Sequence, residues 1–140
     1  MLYDKLIFPK RALTVILLAM LSMGFLSVSA ARKKPVQKIK VACVGNSITY
    51  GTGIQDREHF SYPVQLQNML GDKYLVGNFG KPGATLLNHG HRPYMKQEEY
   101  RQAMAFKGDI AVIHLGINDT DPRNWPNYRD EFVKDYLSLM

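Results

Sequence analysis

Residues 41–51 read VACVGNSITYG. An apolar, β-branched run ends here in a glycine, a small amide, a serine and then a second glycine. The run reaches back to Ile39 with only Lys40 interrupting it, and a nearly continuous apolar stretch of this kind fits a strand covered on both faces, as in a parallel sheet. The glycine and the small polar residues after it predict a strand-to-helix turn that exposes Ser47. Alone, such a serine is more readily a turn residue or helix cap than a nucleophile.

Working outward, Ser61 reads as an N-cap with Pro63 in the first helical turn, and Val64, Leu66, Met69 and Leu70 form an apolar stripe. Gly71-Asp72 ends that helix. Tyr74–Phe79 (YLVGNF) reads as a second strand, stopped by Gly80, Pro82 and Gly83. A long loop (NHGHRPY) precedes a polar helix over 97–106, and Ile110–Leu115 (IAVIHL) reads as a third strand. His114 within it is expected to be a satisfied core residue. After GIND, a last helix is expected from Asn127, with Phe132, Val133, Tyr136 and Leu137 on one face. Strands that alternate with helices imply a parallel sheet built from right-handed crossovers. In such sheets the active groups gather beyond the carboxyl ends of the strands. GNSITYG, NFGKPGAT and GIND all lie at those ends.

The chain has 140 residues, 46% hydrophobic and 21% charged, which fits one globular domain and excludes a disordered chain. Residues 1–30 read as a secretory signal peptide. Lys5, Lys10 and Arg11 precede the apolar run Leu13–Leu26, and Val28-Ser29-Ala30 is a small-residue cleavage site. That run is shorter than the roughly 20 residues of a membrane span. A secreted or periplasmic protein without stable membrane association is therefore expected, an uncleaved anchor being the alternative. Residues 31–38 read as a solvated basic leader and 39–140 as the domain. The formal charge is +6. No stretch interleaves aromatics with Arg and Lys as a nucleic-acid surface would, so a nucleic-acid partner is not expected. The single cysteine, Cys43, lies in the first strand and reads as a buried thiol.

Glycine loops after strands invite a phosphate-binding reading, which fails here. Gly45 and Gly51 enclose too many residues for a Walker loop and no lysine follows. Gly51 and Gly53 lack the third glycine of a dinucleotide fingerprint. Acyl transfer asks for a nucleophile on such a turn and for donors aimed at the developing oxyanion. Ser47 meets the first requirement. Its own N–H, the Gly83 N–H and the Asn118 side-chain amide are candidates for the second, each a weak signal alone.

Taken together, GNSITYG, NFGKPGAT and GIND resemble three blocks of the SGNH, or GDSL-type, hydrolase family. The resemblance is nearest to secreted bacterial esterases of the sialate O-acetylesterase-like kind. It implies a three-layer α/β/α domain with a flavodoxin-like parallel sheet. It also implies Ser47 as nucleophile and Gly83 and Asn118 as oxyanion donors, with Asn46, Asn78 and Asp119 bracing their loops. Asn46 stands where the family most often has aspartate. The implied substrate is an O-acylated carbohydrate, with acetyl as the acyl group, and no cofactor or metal is required. His89 and His91 are candidate substrate contacts on the rim. An H-x-H pair alone is a poor metal site.

The family draws its general base from a histidine in a late D-x-x-H block. This reading finds no such block, and takes the chain for the front part of an esterase domain that is incomplete at its C-terminal side and has little or no turnover itself. The alternative is a non-catalytic carbohydrate-binding domain or an inactive truncated one with the same fold.

Overall fold

The computed structural model describes residues 37–140. The signal-peptide expectation, and the leader up to residue 36, lie outside the described residues. Three parallel strands form the sheet: β1 (Ile39–Gly45), β2 (Tyr74–Gly80) and β3 (Ile110–His114), in the order β2-β1-β3. Ile39 pairs with Tyr74 at one end of the β1–β2 ladder and Gly45 with Gly80 at the other. On the other side Gly45 pairs with His114. The central strand is the one with the nearly continuous apolar run, and Val41, Ala42, Cys43 and Val44 are all buried. The strand reading therefore holds at all three positions, to within a residue at each end.

After β1 the chain turns through three helices, α1 (Ser47–Tyr50), α2 (Arg57–Phe60) and α3 (Tyr62–Leu70). Ser61 is the N-cap residue of α3, with Pro63 in its first turn, although the Ser61 side chain makes no capping bond. It is buried because it packs at Gly51, where an added Cβ would come 2.9 Å from that of Ser61. Gly51 closes α1 in the left-handed region at φ 92°, which glycine adopts without a steric penalty. After β2 come a 3-10 turn (Tyr94–Lys96) and α4 (Glu98–Phe106), which packs on β1 and β2. Tyr94 is fully buried and donates its hydroxyl to the Phe79 carbonyl at 2.7 Å, tying the long loop to the end of β2.

Three expectations need correction. Met69 is 78% exposed, so the α3 stripe is narrower than its sequence pattern. His114 is exposed, because β3 is an edge strand among the described residues and only Ile113 of its five residues is even partly covered. The last helix is not continuous from Asn127. Pro126 opens a short helix α5 (Trp125–Tyr128), a 3-10 turn follows (Arg129–Glu131), and α6 spans Phe132–Leu139. On α6, Val133 and Leu137 are exposed and Asp135 is buried, since Asp135 turns inward to accept the Asn88 N–H at 2.7 Å. A carboxylate that satisfies a loop N–H has taken the inner face from the apolar stripe.

The ends of the strands approach α1 closely. A Cβ on Gly80 would stand 2.1 Å from the Tyr50 nitrogen, and one on Gly45 would stand 2.0 Å from Thr49 Oγ1. The Gly80 obstacle is backbone, so no side-chain rotation relieves it. Gly80→Ala is expected to cost about 3 kcal/mol, at the upper end of overpacking effects. The check is a denaturant midpoint; a shift worth less than about 1 kcal/mol would show that α1 yields freely.

Candidate active site

Ser47 is the first residue of α1, directly after the β1 end, and is partly exposed. Asn46 before it is buried and accepts the Ile48 N–H through Oδ1 at 2.9 Å, which fixes the turn. The Asn46 amide nitrogen is buried and has no partner among the described residues. The asparagine thus uses the oxygen that an aspartate would also offer and carries a donor that an aspartate would lack. Ser47 Oγ has no hydrogen-bond partner among the described residues, and the Ser47 N–H donates to no backbone carbonyl.

At the end of β2, Asn78 Oδ1 accepts the Gly80 N–H at 3.0 Å. Gly83 follows at φ 76°, a left-handed turn residue, and its N–H also donates to no backbone carbonyl among the described residues. At the end of β3, Gly116 opens the 3-10 turn Ile117–Thr120. Asn118 lies on that turn and donates Nδ2 to the carbonyl of Ala84 at 2.8 Å. An amide nitrogen carries two hydrogens, so one remains for a further acceptor. The second and third loops are therefore joined at the residue next to Gly83.

Asp119 strengthens the same joint. It is fully buried, and its two oxygens accept the Leu86 N–H at 2.9 Å and the Leu87 N–H at 2.7 Å. Asn124, also buried, donates to the Asn118 carbonyl at 2.9 Å and accepts the His91 N–H at 2.9 Å. Loop 85–92 is thus pinned by Asp119, Asn124 and Asp135. The sequence reading named Asp119 but missed Asn124 and Asp135. An isolated Asn or Asp near a turn carries no signal of a partner some 30 residues or more away.

The histidines fall apart from one another. His89 pairs with Glu131 at 2.6 Å and stands beside the Tyr128 ring, while the His91 ring contacts Asn124. Neither has a contact with Ser47. The sequence reading also overlooked Asp56-Arg57-Glu58-His59, which has Asp-x-x-His spacing. Here Asp56 Oδ1 meets His59 Nδ1 at 2.8 Å, in an exposed pair on α2. The Asp56 carboxylate, first by its hydrogen bond and then by its charge, raises the His59 pKa above its ordinary 6.5. The pair is an early surface dyad, and no contact joins it to Ser47. Among the described residues no three His, Cys, Asp or Glu side chains gather where a metal ion could be held. Cys43 is a buried free thiol, and burial raises its pKa.

Ser47 thus follows β1 directly, Gly83 and Asn118 follow β2 and β3, and the bond from Asn118 to Ala84 joins the second and third of these strand-end loops. The model of the GDSL-like lipase/acylhydrolase family matches residues 43–139. The chain belongs to this family. Of characterised relatives, the acetylxylan esterase of Xylanibacter ruminicola is 53% identical over 102 residues, which cover 73% of this chain and 21% of that protein. The chain thus spans about a fifth of the length of that relative. Among solved structures, the esterase AlinE4, of the SGNH-hydrolase family, superposes with a TM-score of 0.53 at 20% identity, over 73% of this chain and 52% of that one. A mutant of AlinE4 superposes over the same shares with a TM-score of 0.53 at 19% identity. At that identity the likeness establishes the GDSL-family fold, a parallel sheet with flanking helices, as the sequence implied.

Proposed function

We propose that this chain carries the nucleophile and oxyanion donors of an ester hydrolase that removes acetyl groups from a carbohydrate. The observation that carries the reading is the bond from Asn118 Nδ2 to the Ala84 carbonyl, which sets an amide donor beside Gly83. Ser47 Oγ attacks the acyl carbon. The carbonyl oxygen takes up negative charge and is held by the Ser47 N–H, the Gly83 N–H and the second Asn118 amide hydrogen. Collapse expels the sugar oxygen, which takes a proton, and leaves an acyl-enzyme on Ser47. Water then attacks the same carbon, acetate leaves, and the serine hydroxyl is restored. Each such donor is worth roughly 3 kcal/mol in a transition state of this kind.

The first step needs a base for the serine proton. Among the described residues no histidine reaches Ser47 Oγ, so on this reading the base docks against that free oxygen from elsewhere. The same observation favours the second reading, a carbohydrate-binding domain without turnover. The acetyl and carbohydrate assignment is supported by the similarity to the acetylxylan esterase, and secretion by the pattern of residues 1–30. His89 and His91 lie on loop 85–92, which would meet the sugar.

Acetate release from acetylated xylo-oligosaccharides tests the reading, with p-nitrophenyl palmitate as the long-chain comparison. Where the base is supplied, release from the sugar and none from the palmitate is the expected result, with little or none from this chain alone. Binding of the sugar without any acetate release even when the base is supplied would establish the second reading instead.

A further inference from the structure

Arg92 is set apart by its place beside Gly83: like Arg57 and several lysines it makes no ion pair among the described residues, but it alone of them borders that glycine. Arg101, Arg123 and Arg129 each face a carboxylate, at Glu98, Asp121 and Asp130, and Arg57 lies over the Tyr50 ring. Lys81, the cation of the Gly80–Gly83 turn itself, is paired with Glu99 at 3.0 Å. Arg92 has no carboxylate within bonding distance among the described residues. Its Nη1 donates to the carbonyl of Pro82 at 3.0 Å, and the side chain is exposed. That single bond leaves most of a guanidinium's five donors unused.

Its position is what gives this meaning. A methyl group placed on Gly83 would stand 3.3 Å from Arg92 Nη1 and 3.7 Å from its Cδ and Cζ. The guanidinium therefore lies beside the glycine assigned above to the oxyanion, on the side a Cβ would occupy. The backbone beneath it is tied by hydrogen bonds. Thr85 N–H donates to the Arg92 carbonyl at 2.8 Å, Tyr94 N–H returns to the Thr85 carbonyl at 2.8 Å, and Gly90 lies against the Thr85 side chain. A planar, permanently charged fork held beside a reacting centre is suited to a carboxylate, which it binds through two parallel hydrogen bonds.

We propose that Arg92 is a specificity-determining residue that selects esters bearing a carboxylate close to the acyl carbonyl. The proposal rests on the acyl-transfer reading of Gly83. A carboxylate at that place has two sources: an acidic sugar that carries the acetyl group, or a dicarboxylic acyl group on a neutral sugar. Arg92 meets the same chemistry in both.

The test is binding, measured by NMR titration in the Ser47→Ala background so that the ester survives. Three ligands are compared: an O-acetyl methyl glucuronoside, an O-succinyl methyl glucoside and the neutral O-acetyl methyl glucoside. One or both acidic ligands are expected to bind about tenfold more tightly than the neutral one, the size of an exposed charge-assisted pair. Arg92→Ala should bring that ratio to near one, and Arg92→Lys should leave it in between, because the charge stays and the fork is lost. A purely structural role for Arg92 would move all three affinities together and leave the ratio intact. An unchanged ratio in Arg92→Ala, or no acidic preference in the parent, overturns the proposal. Acetate release by the parent chain is scored separately, so failure of the esterase reading is distinguishable from failure of this one.

Discussion

Replacing Ser47 by alanine is expected to lower acetate release by at least about a thousandfold wherever the parent protein shows it, with substrate affinity retained. The expectation follows from what the serine does and does not touch. Its Oγ makes no structural hydrogen bond among the described residues and its side chain is partly exposed, so removing one oxygen leaves no buried group unpaired. The stability cost should therefore be small, as for surface changes generally. Chemistry is different. Without the nucleophile no acyl-enzyme forms, and what survives is the contribution of the oxyanion donors to direct attack by water. The outcome that sinks the assignment is a Ser47→Ala protein with normal folding and undiminished release.

Asp119→Ala is expected to be the most destabilising single change in the site, at about 3–4 kcal/mol. Asp119 is fully buried and accepts two backbone N–H groups, from Leu86 and Leu87. Hydrogen bonds to a charged acceptor contribute roughly 1.5–3 kcal/mol each, and their loss strands two buried donors. Asp119→Asn should restore little. Its one oxygen serves one N–H, while its own N–H₂ group faces the other donor. The measurement is a denaturant midpoint with an unchanged slope, so that the shift reports stability alone. The joint between Asn118 and Ala84 loosens with it, so acetate release should fall further than the population of unfolded protein explains. A loss under 1 kcal/mol would show that loop 85–92 reorganises without this carboxylate.

Much of this arrangement is legible in the chain. Each strand is a short apolar run closed by glycine, and each candidate group follows one such run directly. Local pattern was enough there because strand, turn and donor are neighbours in sequence. It failed where the deciding partner was distant. His114 has apolar neighbours on both sides, which says nothing about whether its strand is central or at an edge. Val133 and Leu137 lie at helical spacing, yet the helix turns Asp135 inward, because the Asn88 N–H needs an acceptor more than the surface needs one fewer apolar group. Asn124 clamps two loops and looks, in sequence, like any asparagine before an aromatic. Family resemblance supplied Asp119, which spacing alone would have left as a turn residue.

The three anchors of loop 85–92 have an evolutionary corollary. Asp119, Asn124 and Asp135 reach it across separations of 32 to 47 residues, and each bonds a backbone N–H of the loop, Asn124 meeting the His91 ring as well. Backbone recognition is blind to the identity of the residues held. The exposed side chains His89 and Arg92 are therefore freer to drift than the buried Thr85, Leu86 and Leu87, while the loop's shape is kept by residues encoded elsewhere. Recognition of new sugars is open to change without remaking the site. Transplanting the loop into a relative is a different matter, since the graft would keep its shape only in a host that already has those three acceptors.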